Sequence, residues 1–152
     1  MTLIELLLVL AVLALAAVVV APRLYGFYRA REVRDAAERI AVLAREGRSL
    51  ARRRGAEVRL RVDTRDGTCR LEPPPSAQDD EQEPVRTEVF ALPEGVRVEW
   101  DEPRREEDSF LRFAPDGRAD PAALRVWSDF GEVWVVCEDP TQTFVVLESR
   151  EP

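Results

Sequence analysis

The sequence predicts an α+β fold in which one long N-terminal helix packs on an antiparallel β-sheet head. Three observations predict it. Leu6 to Ala21 is an uninterrupted apolar run of 16 residues. From Val33 to Ala51 the apolar residues recur at helical spacings of three and four. After Glu57 the chain breaks into short alternating segments separated by glycine and proline turns. At 152 residues one domain with a real core is expected.

The first element is the apolar run. With Met1 to Glu5 added it is about 31 Å long at the helical rise, enough to cross a bilayer. A cleaved signal sequence needs a basic start, a shorter apolar stretch and a small-residue cleavage site; here nothing basic precedes Arg23 and Glu5 sits near the start. A buried core helix is the other reading, but a run this uniformly apolar, with no polar stripe, reads more naturally as lipid-facing. Residues 1–22 therefore read as the transmembrane half of the helix. Pro22 removes a backbone donor and predicts a kink or local loosening.

Residues 23–55 read as the amphipathic half. Val33, Ala36, Ala37, Ile40, Leu43, Ala44, Gly47, Leu50 and Ala51 form one face, with charged residues on the others. Gly47 weakens such a helix by about 1 kcal/mol relative to alanine. Arg52, Arg53 and Arg54 suit the negative end of the helix dipole, and Gly55 suits a left-handed cap. A helix from Thr2 to Arg54 would be about 80 Å long.

Residues 56–152 form the head. Strands are expected at Val58 to Val62, Thr68 to Leu71, Val85 to Leu92, Val96 to Trp100, Phe110 to Phe113, Leu124 to Trp127, Val133 to Cys137 and Thr143 to Leu147. The proline-rich and acidic stretch about 73–84 is expected to be a mobile loop. Trp100, Trp127 and Trp134 lie on alternating runs and read as core or half-buried strand residues.

Charge divides the chain. The total is 22 basic against 29 acidic residues, and every basic residue is arginine. Met1 to Gly55 carries a net +5 and Ala56 to Pro152 a net −12. An acidic head disfavours nucleic acid as a partner, because neutralising phosphates needs a basic excess. With no histidine there is no Ser-His-Asp or Cys-His pair, and two cysteines do not fill a structural zinc site. Asp79, Asp80, Glu81 and Glu83 lack the spacing of an EF-hand, as do Asp63 and Asp66 before Gly67. No phosphate loop or nucleophile elbow occurs. The expectation is no enzyme, no cofactor and no metal. Cys69 and Cys137 either form a disulfide, which an oxidising compartment permits, or stand as two buried thiols.

Glu5 is costly inside an apolar segment, about 2.5–3.5 kcal/mol on insertion scales, and no side-chain cation lies within a helical turn. An α-amino group on a neighbouring copy is the natural partner, so Glu5 points to assembly.

Met1-Thr2-Leu3-Ile4-Glu5-Leu6, the apolar run and Ala21-Pro22 together resemble the mature N-terminus of type IV pilins and type II secretion pseudopilins. The resemblance implies cleavage by a prepilin peptidase, N-methylation of Met1, an assembly role for Glu5, and a type IV pilin-like fold. It departs at Met1, where the family usually has phenylalanine; Met1 is either the processed residue or an initiator. Arg23, Arg29, Arg31 and Arg34 taken alone would put the C-terminal side in the cytoplasm. The resemblance implies the reverse, with a short basic leader holding the N-terminal side inside.

Leu92-Pro93-Glu94-Gly95-Val96, Phe113-Ala114-Pro115-Asp116-Gly117-Arg118 and Leu124-Arg125-Val126 resemble the GspH/FimT type of minor pseudopilin. The implied function is that of a structural subunit of the type II secretion pseudopilus, anchored in the inner membrane with its head in the periplasm. Its implied partners are other major and minor pseudopilins, the prepilin peptidase, the inner-membrane secretion platform and membrane lipid. The alternative is a minor type IV pilin active in pilus assembly or DNA uptake.

Overall fold

A computed structural model describes residues 2–73, 89–102 and 109–149, without the side chains of 19–24. Helix α1 runs unbroken from Leu3 to Arg54, through Pro22. It starts where Thr2 takes an extended backbone and the Glu5 and Leu6 amides donate to the Thr2 carbonyl. It ends at Gly55, whose φ of 62° is the left-handed conformation that glycine adopts without steric cost. The Gly55 and Ala56 amides then close the last turn onto Arg52 and Ala51.

Eight strands follow among the described residues: β1 (Val58–Asp63), β2 (Thr68–Glu72), β3 (Val89–Ala91), β4 (Arg97–Trp100), β5 (Phe110–Phe113), β6 (Ala122–Ser128), β7 (Gly131–Cys137) and β8 (Val145–Leu147). They form two four-stranded sheets of order β3-β2-β1-β5 and β4-β6-β7-β8, with every pairing antiparallel. The chain leaves the first sheet after β3, contributes β4 to the second, and returns for β5. Alternation of side chains decides which face is buried. Val58, Leu60 and Val62 point inward from β1, and Leu124 and Val126 from β6.

The core lies between the second half of α1 and both sheets. Val33, Ala36, Ala37, Ile40, Leu43, Ala44 and Ala51 are buried against strand residues including Leu111, Phe113 and Val135, with Leu50 partly covered. Small residues on this helix face let the sheets approach closely. Gly47 is the extreme case: a Cβ there would sit 2.6 Å from Phe113 Cε2 and 2.7 Å from Leu71 Cδ2. The glycine that looks like a weak point in the helical pattern is where two core side chains fill the helix groove.

The predicted strand at Val85 to Leu92 is seen as Val89–Ala91, residues 85–88 lying outside the described set. So do residues 74–84 of the expected loop, with Asp79, Asp80, Glu81 and Glu83. Asp63 and Asp66 belong to a turn. The Asp63 carboxylate accepts the Arg65 and Asp66 amides at 2.9 and 3.0 Å, and these bonds hold it below the usual carboxylate range. Among the described residues no group of three or more acidic or thiol side chains is placed to hold a metal ion.

Candidate assembly surface

From Leu3 to Val18, α1 packs on nothing among the described residues. Leu3 is 78% exposed and Val18 75%, and the leucines and valines between them are open on every side. No face of this stretch is spared, so no single groove on the protein's own head covers it. Among the described residues no helix is long and apolar enough to cross a membrane; the described apolar side chains run from Leu3 to Val18, about 24 Å of helix.

Glu5 is the only acid in the first turn. Its Oε2 accepts the Thr2 amide at 3.4 Å, so the carboxylate caps one of the amides that a helix start leaves unpaired. The sequence pattern Thr-x-x-Glu is the signature of this arrangement, which reasoning from cations alone misses. Met1 lies outside the described residues.

Where the stem meets the head, Tyr25, Phe27 and Tyr28 are each more than half exposed. Tyr25 stands edge-on to Phe130 of the β6–β7 turn, with ring centres 5.7 Å apart. Arg29 braces the joint. Its Nε donates to the Tyr25 hydroxyl at 3.0 Å, and a second nitrogen donates to Glu32 at 2.9 Å and to the Glu94 carbonyl at 3.4 Å. The Tyr25 hydroxyl and then the Glu32 carboxylate favour its charged form and raise its pKa. The cleft bounded by Tyr25, Arg29, Glu94 and Phe130 is about 210 Å³.

Farther up, Arg48 is only 8% exposed. Its guanidinium donates to the Thr141 and Pro140 carbonyls at 3.3 Å each, and lies 3.9 Å from Cys137 Sγ. A helix cation thus holds the β7–β8 loop through carbonyl oxygens. Nothing in the sequence marks it among the other arginines, because its partners are about 90 residues away.

Cys69 and Cys137 are both buried and free, on separate sheets. Burial pushes the Cys69 thiol up to about 12. It raises Cys137 too, with Arg48 pulling the other way. Trp127 lies between the Arg97 and Arg125 guanidinium groups, 5.1 and 5.4 Å from its ring centre, and Arg125 also pairs with Glu132. These arrangements position side chains without joining a nucleophile to a base.

No protein-family model matches the sequence, and comparison with curated proteins finds no match. Solved structures do match. Two structures of the minor pseudopilin EpsH from the type II secretion system of Vibrio cholerae align with TM-scores of 0.57 and 0.59 at 16% and 15% identity. They cover 77% and 81% of this chain and 97% and 98% of theirs. The type IV minor pilin FimU of Pseudomonas aeruginosa aligns with a TM-score of 0.58 at 12% identity, over 82% of this chain and 92% of its own. A long N-terminal helix on two antiparallel sheets, with these neighbours, is the GspH/FimT-like pilin fold that the sequence resemblance implied.

Proposed function

We propose that this chain is a minor pseudopilin, a structural subunit of a type II secretion pseudopilus that assists protein export across the outer membrane. The observation that carries the reading is the bare apolar stem from Leu3 to Val18 with Glu5 as its single acid, on a fold shared with minor pseudopilins. An apolar surface of that extent needs lipid or other helices around it.

In this reading residues 1–22 span the inner membrane, 23–55 join stem to head, and 56–152 form a periplasmic head. A prepilin peptidase exposes Met1, which is then methylated on its amine. Within the filament the Glu5 carboxylate of one subunit neutralises the Met1 amine of a neighbour, and Pro22 allows local loosening of the helix as subunits pack. Other major and minor pseudopilins supply the surrounding helices, and an inner-membrane platform feeds subunits in. The subunit's work is physical.

The similarity to FimU supports a second reading, a minor type IV pilin. Its DNA-capturing form is disfavoured by the head's net −12. Co-expression with partner pseudopilins and isolation of the sheared filament fraction tests the first reading. Wild-type chain is expected in that fraction and Glu5→Ala is expected to stay in the membrane with its head folded. Normal incorporation of the variant counts against the reading. Retention of DNA by the full chain at low salt favours the second.

A further inference from the structure

The turn between β6 and β7 is two residues long, Asp129 and Phe130, with Ser128 paired to Gly131 across it. Neither residue has a positive φ, so the turn itself makes no demand for glycine, asparagine or aspartate. Phe130 at the tip stays 45% exposed even with its ring packed on the helix. It stands against Tyr25, and Phe27 and Tyr28 stand edge-on to each other at 6.4 Å on the same stretch of helix. Four aromatic rings thus lie at one level, around the joint of stem and head.

That level is set by the helix itself. Tyr25 is four residues past Ala21, where the apolar run stops, and so about 6 Å beyond it. If the run fills the hydrocarbon layer, Tyr25 and Phe130 sit among the headgroups, the depth at which aromatic side chains are enriched. The opposite end of the head is far away. The Arg52 guanidinium lies over Gly117, so the Pro115–Gly117 turn is about 40 Å farther along the helix. Charged side chains near the aromatic level are paired: Arg29 with Glu32, Arg31 with Asp35, Arg34 with Glu38 and Glu148, and Arg125 with Glu132. A lipid contact here is driven by the rings and is expected to be insensitive to salt.

We propose that the β6–β7 turn is a second membrane contact: Phe130, with Tyr25, Phe27 and Tyr28, seats in the headgroup layer of a phospholipid bilayer and fixes the head low against the membrane before assembly. The inference rests on the membrane-spanning reading of the stem. It adds that the head does not swing free on its stalk, and that entry into a filament must break an aromatic contact with lipid.

The full chain, reconstituted at high dilution in phosphatidylethanolamine–phosphatidylcholine vesicles, tests this with an environment-sensitive fluorophore on single added cysteines. Cys69 and Cys137 are buried, and the unsubstituted chain serves as the labelling blank. Labels go at Val12→Cys, Asp129→Cys and Asp116→Cys, and lipids spin-labelled at the headgroup or deep in the acyl chain act as quenchers. The Val12 label is expected to be quenched by the deep probe, the Asp129 label by the shallow probe, and the Asp116 label by neither. Adding Phe130→Ser to the Asp129-labelled chain is expected to abolish its quenching. A Val12 label that no lipid quenches overturns the membrane-spanning stem. A quenched Val12 label with an Asp129 label as water-exposed as that at Asp116 overturns this inference alone. An Asp129 label shielded from water yet unquenched by lipid also overturns it, and assigns the aromatic level to a second copy of the chain.

Discussion

The Thr2 backbone amide donates to Glu5 Oε2 at 3.4 Å, so the stem's single acid has a partner inside its own chain. That bond is long and leaves most of the carboxylate's acceptor capacity free. A neighbouring ammonium group offers that carboxylate a full opposite charge and a shorter bond. In the proposed filament the carboxylate that caps the helix start is also the one that meets the neighbour's amine.

Glu5→Gln separates the two roles. A glutamine still accepts the Thr2 amide but carries no charge. If neutralisation of a neighbour's amine drives assembly, Glu5→Gln and Glu5→Ala are expected to lower filament incorporation to the same extent. Rescue by glutamine would leave capping as the residue's role. Thermal unfolding of the head is expected to be unchanged in both, since Glu5 is exposed and remote from the core.

Gly47→Ala is expected to destabilise the head despite favouring the helix. Alanine gains about 1 kcal/mol of helix propensity. Overpacking against Phe113 and Leu71 costs about 1–3 kcal/mol, because both are core side chains with little room to shift. A net loss of about 1 kcal/mol is expected from the balance of the two, read as a lower denaturation midpoint. A gain in stability would mean that the two side chains repack freely.

Arg48→Met keeps the length of the side chain and removes the donors to Pro140 and Thr141. A loss of about 2 kcal/mol is expected, from hydrogen bonds made by a charged group. Cys137, whose thiol donates to the Asp139 and Gln142 carbonyls of the same loop, is expected to react faster with alkylating reagents. Cys69, in the other sheet, is expected not to change. Equal acceleration at both thiols would indicate general unfolding instead.

Alkaline pH is expected to weaken the head. Cys69 ionises near 9 in the unfolded chain and near 12 when buried, so the folded state holds the proton longer. Its contribution is complete below pH 9 and is lost as pH rises from 9 towards 12. Denaturation midpoints measured across this range are expected to fall, and Cys69→Ala is expected to flatten the fall.

Much of this was legible in the chain. Period-two alternation, punctuated by glycine and proline, located strands such as β1, β2 and β5, in which every second residue is buried. Gly55 and the three arginines before it marked the helix end. Partition of the strands between two sheets was not legible, since alternation says which face is buried and not which strand is the neighbour. The packing role of Gly47 was not legible for a related reason: it lies in the space that Phe113 and Leu71 occupy, 66 and 24 positions away. Arg48 was invisible because carbonyl oxygens have no residue signature. Thr2 and Glu5 carry the capping spacing in the sequence itself, three positions apart.

The exchange of β4 and β5 between the sheets stitches the head together. Neither sheet can be completed from one uninterrupted length of chain, so each waits on the other, and the helix is laid across both. A pull delivered along the helix is expected to be shared by the whole head, which then yields in a single step, with no half-open form to shed strands.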